Sequence, residues 1–295
     1  MGSGVLYREI TAKSALTRVK GMPFAWSLNP YIGCERGCVY CYARDYHARR
    51  GRDTGAGFDR EIEVKINFPE LLAQELRRLR RRETVALGTA TDPYQQCEGR
   101  YRITRRTLEV LVASPLPLVI VTKGSMVVRD IDLLTRLHVT VCVSIGTVSA
   151  ELARTSEPHA SPPKARLEAV RRLVSAGIDA GVLAAPILPG LSDSEASLDA
   201  VAAAAAESGA KFFSARPLKL DPGVKPHYFA FLAERFPALL PAAEARFADR
   251  VNPERAYADA LDARARRVRS RYAFEERPFR RTPAPEAPSQ LRLAI

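Results

Sequence analysis

Short runs of β-branched residues alternate with amphipathic segments along most of this 295-residue chain. Helical patterns separate the runs; one of them, 162–176, has a proline near its first turn and ends at Gly177. This alternation predicts a parallel α/β architecture. An eight-unit barrel needs roughly 250 residues, but the pattern covers only about 195, so we expect a six-unit partial barrel. Its six strands are predicted at Phe24–Ile32, Thr84–Thr89, Leu116–Thr122, Val139–Ile145, Asp179–Pro186 and Lys211–Ala215.

The alternation stops near Leu220, where a turn-rich segment leads into further helical patterns without another strand. The sequence therefore predicts four parts: an N-terminal arm (1–22), the barrel core (23–220), a helical C-terminal extension (221–277) and a tail rich in proline and arginine (278–295). No apolar run reaches the ~20 residues of a membrane span. Met1–Arg18 lacks the apolar stretch of a secretory signal, so we expect a cytoplasmic protein without membrane contact.

Three cysteines, Cys34, Cys38 and Cys41, stand directly after the first predicted strand. Their Cys-x3-Cys-x2-Cys spacing suits an iron–sulfur site, because soft thiolate ligands favour such centres. Three ligands would leave one iron of a [4Fe–4S] cluster open to a substrate or cofactor. Zinc, with His47 as a fourth ligand, is the alternative. Zinc sites usually pair Cys-x2-Cys with a second distant pair, which this sequence lacks.

The cysteine spacing, with the aromatic Tyr40 just before the last cysteine, resembles the signature of the radical SAM superfamily. Residues 29–44, together with Gly-Thr-Ala-Thr-Asp-Pro-Tyr at 88–94, resemble more narrowly the branch related to spore photoproduct lyase, often called DNA repair photolyase-like. The resemblance covers about 24–218. It implies a partial (β/α)6 barrel of the radical SAM type, in a TIM-like arrangement, with the helical extension at its C-terminus.

The same resemblance implies the chemistry. The three cysteines would hold a [4Fe–4S] cluster, and its open iron would bind S-adenosylmethionine (SAM). Reductive cleavage of SAM would yield a 5′-deoxyadenosyl radical that abstracts hydrogen from a substrate. The electron would come from an external one-electron donor of the flavodoxin or ferredoxin type.

The resemblance further implies a set of SAM contacts near the ends of the strands. Lysine suits a carboxylate, and hydroxyls suit a ribose. The alternatives are a solvent-facing lysine and hydroxyls bonded within the strands. The implied contacts are Gly88, Thr89, Ala90 and Thr91 after the second strand, Lys123 after the third, Ser144 in the fourth, Arg154 and Glu157 in the loop after it, Leu188 after the fifth, and Tyr40.

This chain departs from spore photoproduct lyase at the hydrogen donor. That enzyme uses a cysteine at the end of its second strand, where this sequence has Thr89, so strict thymine-dimer repair is not expected. Cys97, in the following loop, and Tyr42, beside the last ligand, are the candidate catalytic residues. A loop thiol without a role and a tyrosine packed over the cluster are the alternatives. Cys142, among valines, is expected in the core.

The chain carries 45 Lys and Arg against 33 Asp and Glu, a formal net charge of +12. Such a charge favours polyanions, and together with the photolyase-like resemblance it makes nucleic acid or a nucleotide the expected substrate. Residues 77–82 and Arg264–Arg281 are the most basic segments, and a solvated surface is the alternative for both. Two other functions stay open: the same chemistry on a small molecule or peptide, and a non-catalytic nucleic-acid-binding protein with a structural metal.

Overall fold

A computed structural model describes residues 4–81, 83–114 and 116–275, and the strands of these residues form two sheets. The strands are β1 (Leu6–Ile10), β2 (Leu16–Arg18), β3 (Trp26–Leu28), β4 (Tyr31–Ile32), β5 (Glu61–Lys65), β6 (Val85–Leu87), β7 (Leu118–Thr122), β8 (Val139–Ser144), β9 (Asp179–Ile187) and β10 (Phe213–Pro217).

The helices lie between and after these strands. They are α1 (Arg44–Ala48), α2 (Ala56–Arg60), α3 (Phe68–Arg78), α4 (Glu98–Tyr101), α5 (Ile103–Ala113), α6 (Ile131–Leu134), α7 (Ala150–Ser156), α8 (Pro163–Ser175), α9 (Glu195–Glu207), α10 (Lys225–Arg235), α11 (Leu240–Phe247) and α12 (Arg255–Arg269).

The large sheet has the order β10-β9-β8-β7-β6-β3-β2. Its strands from β3 to β10 pair in parallel, and β2 adds an antiparallel edge beside β3. Each of these six parallel strands overlaps one predicted run, with β9 ending one residue and β10 two residues beyond it, and together they confirm the partial α/β barrel. Four consecutive residues of β8, from Val141 to Ser144, are buried, as expected of a strand covered on both faces.

The small sheet, β1-β5-β4, does not appear among the predicted strands. The first predicted run, Phe24–Ile32, is divided between β3 in the large sheet and β4 in the small one. Pro30 lies at the break, and it has no backbone N–H to continue a ladder. Strand β1 pairs in parallel with β5, so residues 6–18 take part in both sheets. The boundary at residue 22 and the other domain boundaries stay predictions.

The helical extension packs back onto the barrel. Helix α12 contacts α9 and β10, and the Phe274 ring stacks on Phe213 at 5.8 Å between centroids. The predicted tail, 278–295, lies outside the described residues. Within the part of the chain that is described, every helix is too short or too polar to cross a membrane.

Gly88, directly after β6, provides a test of how tightly the strand ends are packed. Its φ is +90°, and a Cβ atom there would lie 2.5 Å from Pro93 Cδ and from the Val121 carbonyl oxygen. Gly177 also has a positive φ, +81°, but a Cβ atom there would meet nothing within 4 Å.

We expect Gly177→Ala to lower the free energy of unfolding by about 1–2 kcal/mol, the cost of the left-handed conformation. Gly88→Ala should lower it by a further 1–3 kcal/mol or so, because the new methyl group also overpacks the strand ends. Urea unfolding of both variants measures the difference. Equal losses would contradict the crowding at Gly88.

Candidate active site

The cysteine loop, residues 33–43, connects β4 to α1 and lies beside the ends of the parallel strands. Arg44, only 3 % exposed, donates two hydrogen bonds to the Cys38 carbonyl, at 3.0 and 3.3 Å. Its guanidinium also pairs with Asp59 at 2.9 Å and donates to the Thr54 carbonyl at 2.6 Å. The residue three positions after the last cysteine therefore fixes the shape of the loop.

The three thiols occupy surroundings that suit a centre with thiolate ligands. Cys34 and Cys38 are buried and Cys41 is half-buried, and none forms a disulfide. Burial raises the pKa of Cys34 and Cys38 to about 12 and that of Cys41 to about 11. Neighbouring thiolates add to the shift at each of them. Three soft ligands on one loop, each raising the pKa of another, fit an iron–sulfur cluster, whose positive irons favour the thiolate form.

Asp92 links the cysteine loop to the ends of β6 and β7. Its carboxylate accepts hydrogen bonds from Thr122 Oγ1 at 2.6 Å, the Lys123 N–H at 2.8 Å and the Tyr94 N–H at 2.9 Å. It also pairs with Arg36 Nε at 3.2 Å, and both side chains are buried. Burial alone would raise the pKa of Asp92, but Arg36 and the hydrogen bonds hold it below its usual value.

Glu35, the neighbour of Arg36, anchors the loop on its other side. Its carboxylate accepts from the Tyr7 hydroxyl of β1 at 2.5 Å and from the Cys97 N–H at 2.8 Å. Its own N–H donates to Gln95 Oε1 at 2.9 Å. Glu35 and Arg36 were not identified from the sequence as positioning residues. The signal was two adjacent charged residues between the motif cysteines, because charges buried there need partners.

Lys123 lies at the end of β7, where the sequence predicts it. Its ammonium nitrogen is 5.6 Å from the centroid of the Tyr40 ring, and no described residue forms an ion pair with it. Burial lowers the pKa of Lys123, but the negative charges of Cys38 and Glu157 outweigh that effect and raise it overall.

Tyr40 is buried, and its hydroxyl donates to Glu157. Glu157 pairs with Arg166 of α8, which also donates to the Ser144 carbonyl at 2.9 Å. Of the two expected SAM contacts after the fourth strand, Arg154 is exposed on α7, whereas Glu157 is buried, and their roles toward SAM stay predictions. Arg166 was missed because arginine is normally a surface residue.

The hydroxyls expected to contact SAM already have partners inside the protein. Thr91 Oγ1 donates to the Gly33 carbonyl at 2.6 Å, Ser144 Oγ donates to the Ala185 carbonyl at 2.8 Å, and Thr89 Oγ1 lies 2.5 Å from Ser27 Oγ. Each can still accept a hydrogen bond. Their roles toward SAM stay predictions.

The other expected contacts surround the same loop. The Ala90 N–H donates to Asn29 Oδ1 at 2.8 Å, and Leu188 packs in one apolar cluster with Cys38 and Tyr40. Tyr42 is 46 % exposed, and its hydroxyl donates to the Thr89 carbonyl. These positions bring the ends of β6 and β9 to the cysteine loop.

The two cysteines outside the motif are both buried. Cys97 is 2 % exposed and packs in the main hydrophobic core, and burial followed by Glu35 raises the pKa of its thiol. Its role as a hydrogen donor stays a prediction. Cys142 is 1 % exposed, as expected of a core residue. His47, the fourth ligand in the zinc alternative, is buried in α1 with its ring 5.0 Å from that of Phe58.

The fold and the loop define a class of enzyme, which has a partial α/β barrel and a three-cysteine loop beside the ends of its parallel strands. The chain belongs to the radical SAM superfamily, because the model of that family matches residues 28–200. It is a radical SAM enzyme, and membership implies an iron–sulfur cluster and SAM as cofactors. Such enzymes typically need an external electron donor.

Several relatives in sequence are described only as uncharacterized proteins. A protein of Mycobacterium tuberculosis is 38% identical over 245 residues, which are 80% of this chain and 72% of the relative. A protein of Acidianus two-tailed virus is 31% identical, over 58% of each chain. The chain is also similar to the Radical SAM Nalpha-GlyT isomerase of Pseudomonas phage M6, with 27% identity over 55% of this chain and 33% of that protein.

Among solved structures, spore photoproduct lyase shares the fold. One variant superposes with a TM-score of 0.69 at 17% identity, covering 90% of this chain and 79% of the lyase. Another variant, with bound AdoMet and dinucleoside spore photoproduct, gives 0.69 at 16% identity over the same shares. The fold therefore agrees with the branch that the sequence motifs indicate.

The buried pair of Arg36 and Asp92 generates a prediction about stability. We expect Asp92→Asn to lower the free energy of unfolding by about 3–5 kcal/mol, because it leaves Arg36 buried without a counter-charge. Asp132→Asn is the matched control: Asp132 pairs with Arg105, but its side chain is 57% exposed, so the loss should stay below about 1 kcal/mol. Urea unfolding of the metal-free protein measures both. Similar losses would show that the buried pair does not hold the loop.

Proposed function

We propose that this chain cleaves SAM with a [4Fe–4S] cluster held by Cys34, Cys38 and Cys41 and acts on nucleic acid or a nucleotide. When bound and reduced, the cluster supplies the electron that splits SAM into methionine and a 5′-deoxyadenosyl radical, which takes hydrogen from the substrate. A flavodoxin or ferredoxin type of protein would be the electron donor. The cysteine loop holds the cluster, and the strand ends hold SAM.

The observation that carries the proposal is the environment of the Lys123 ammonium. It lies beside the Tyr40 ring at the edge where α/β barrels bind ligands, and no described residue pairs with it. Nearby negative charges keep Lys123 protonated, but no described carboxylate is in ion-pair contact with its ammonium. An anionic ligand can make that contact, and the carboxylate of SAM supplies the matching charge. Tyr40 and Leu188 offer an apolar surface beside it.

The support for nucleic acid comes from two exposed tyrosines near the cysteine loop. Tyr42 and Tyr46 are each 46 % exposed and meet edge to face, with ring centroids 6.4 Å apart. The Arg49 guanidinium lies 6.0 Å from the Tyr46 ring, and Arg50 beside it is exposed. Exposed aromatic rings with arginines stack bases and attract phosphates. We call Tyr42, Tyr46, Arg49 and Arg50 the tyrosine rim.

The rim adjoins the expected radical site, since the Tyr42 hydroxyl donates to the carbonyl of Thr89. The similar spore photoproduct lyase was solved with a dinucleoside substrate, which also supports this substrate class. Apart from the three ligand cysteines, both thiols of the chain are buried, at Cys97 and Cys142. The proposal therefore does not include a repair reaction that ends on an accessible cysteine thiol, and Tyr42 is the exposed candidate for a catalytic role.

Cluster formation and SAM cleavage test the chemistry. After anaerobic reconstitution with iron and sulfide and reduction, we expect the wild type to release 5′-deoxyadenosine, measured by chromatography. Cys38→Ala should lose both the visible cluster absorption and this product, because one ligand is missing. Cys142→Ala removes a buried thiol away from the loop and should keep both. A wild type that binds stoichiometric zinc and leaves SAM intact would favour the non-catalytic binding protein instead.

The tyrosine rim predicts weaker nucleic-acid binding when its side chains are replaced. We expect Tyr46→Leu combined with Arg50→Gln to weaken binding of a fluorescent single-stranded oligonucleotide roughly 5- to 150-fold, the effect of one lost base stack. Release of 5′-deoxyadenosine without substrate should not change. Arg255→Gln is the control, because Arg255 is a 94% exposed arginine of the extension.

Fluorescence anisotropy at fixed salt measures all three proteins. Equal affinities would remove the rim from the proposal while leaving the substrate class standing. A wild type that binds no oligonucleotide would instead favour a small molecule or peptide as the substrate.

A further inference from the structure

Three charged side chains share the buried region beside Cys38: Lys123, Glu157 and Arg166. Glu157 and Lys123 are close enough to influence each other electrostatically, yet they form no ion pair. Both oxygens of Glu157 are already engaged, one by the Tyr40 hydroxyl and the other by Arg166. Because both oxygens of Glu157 accept from other side chains, the lysine forms no ion pair with it.

Arg166 is the most deeply buried member of the group, at 1 % exposure. Besides Glu157, its guanidinium donates to the Ser144 carbonyl at 2.9 Å and to the Ser161 carbonyl at 2.5 Å. Three acceptors in different directions match the rigid fork of a guanidinium, which a lysine cannot reproduce. Arg166 is therefore fixed in place and turned toward the protein, not toward the space in front of Lys123.

We infer that Arg166 is a positioning residue that occupies Glu157 and thereby keeps the Lys123 ammonium available for the carboxylate of SAM. The inference rests on the proposed function, since it assumes that SAM binds at Lys123. Without Arg166, the charge of Glu157 would face only Tyr40 and the lysine. The flexible lysine stem would then turn to the carboxylate already present in the protein. SAM would have to displace an internal ion pair before it could bind.

Binding of SAM to the cluster-loaded, unreduced enzyme tests the inference, because SAM is not cleaved under those conditions. Equilibrium dialysis gives the affinity. We expect Arg166→Met to weaken SAM binding about tenfold or more, the equivalent of one lost charge-assisted hydrogen bond. The double variant Arg166→Met, Glu157→Gln should recover most of that loss, since the competing carboxylate is gone. Arg172→Met is the control on the same helix, because Arg172 is exposed.

A double variant that binds SAM as poorly as Arg166→Met would overturn the inference, because a purely structural role of Arg166 predicts no recovery. Removing one partner of a buried ion pair costs about 3–5 kcal/mol, so Arg166→Met and Glu157→Gln both have a folding risk. The double variant removes both charges together and carries the test if neither single variant folds: it should bind SAM within a few-fold of the wild type. Glu157→Gln, if folded, should bind SAM at least as tightly as the wild type. A tenfold loss in either folded variant would contradict the inference.

Lys123→Met separates this inference from the proposed function. If Lys123→Met binds SAM as the wild type does, the proposed SAM site is wrong and the inference fails with it. If Lys123→Met weakens binding but neither Arg166→Met nor Glu157→Gln behaves as expected, the SAM site stands and only the role of Arg166 is refuted.

Discussion

The arrangement of the site depends on two adjacent charges that are buried inside the cysteine loop. Glu35 and Arg36 stand between Cys34 and Cys38 and are only 4 % and 6 % exposed. Buried charges are costly without partners, so residues far along the chain must supply them. Asp92 serves Arg36, and Tyr7 serves Glu35. The loop is therefore fixed from β1 on one side and from the ends of β6 and β7 on the other.

Because of this constraint, several polar residues near the motif already form hydrogen bonds within the protein. Thr91 donates to the Gly33 carbonyl at the start of the loop, and the Asp92 carboxylate pairs with Arg36 and accepts hydrogen bonds from the strand ends. Lys123 differs from these residues. Its backbone N–H donates to Asp92, but its ammonium forms no ion pair with a described residue. A charged side chain that forms no ion pair within the protein indicates a ligand site more strongly than a nearby hydroxyl that is already hydrogen-bonded.

The sequence predicts the parts of the fold that depend on local periodicity. The six parallel strands follow from apolar runs between amphipathic helices, and the proposed cluster ligands follow from the spacing of three cysteines. The small sheet could not be found in this way, because β1 and β5 are separated by some fifty residues and strand formation depends on the partner. Strand β5 does alternate polar and apolar residues, which in retrospect is its signal.

Arg166 is a single side chain whose role likewise could not be predicted, because it depends on partners distant in sequence. It precedes Ala169 and Val170 by one turn on the buried face of α8, where periodicity alone predicts an apolar residue. Its position is readable from the sequence, but its partners are not, because Glu157 and the Ser144 carbonyl come from other segments.

The arginines of the chain are not equally available to a ligand. Arg267 and Arg271 of the predicted basic segment pair with Glu195 of α9, and Arg271 pairs with Asp199 as well. Tyr272 donates to Asp199, so the described part of that segment fastens the extension to the barrel. The total of 45 Lys and Arg therefore overstates the number of cations that a polyanion can reach. What matters for a nucleic acid is where exposed arginines lie beside exposed aromatic rings near the cysteine loop, as they do at the tyrosine rim.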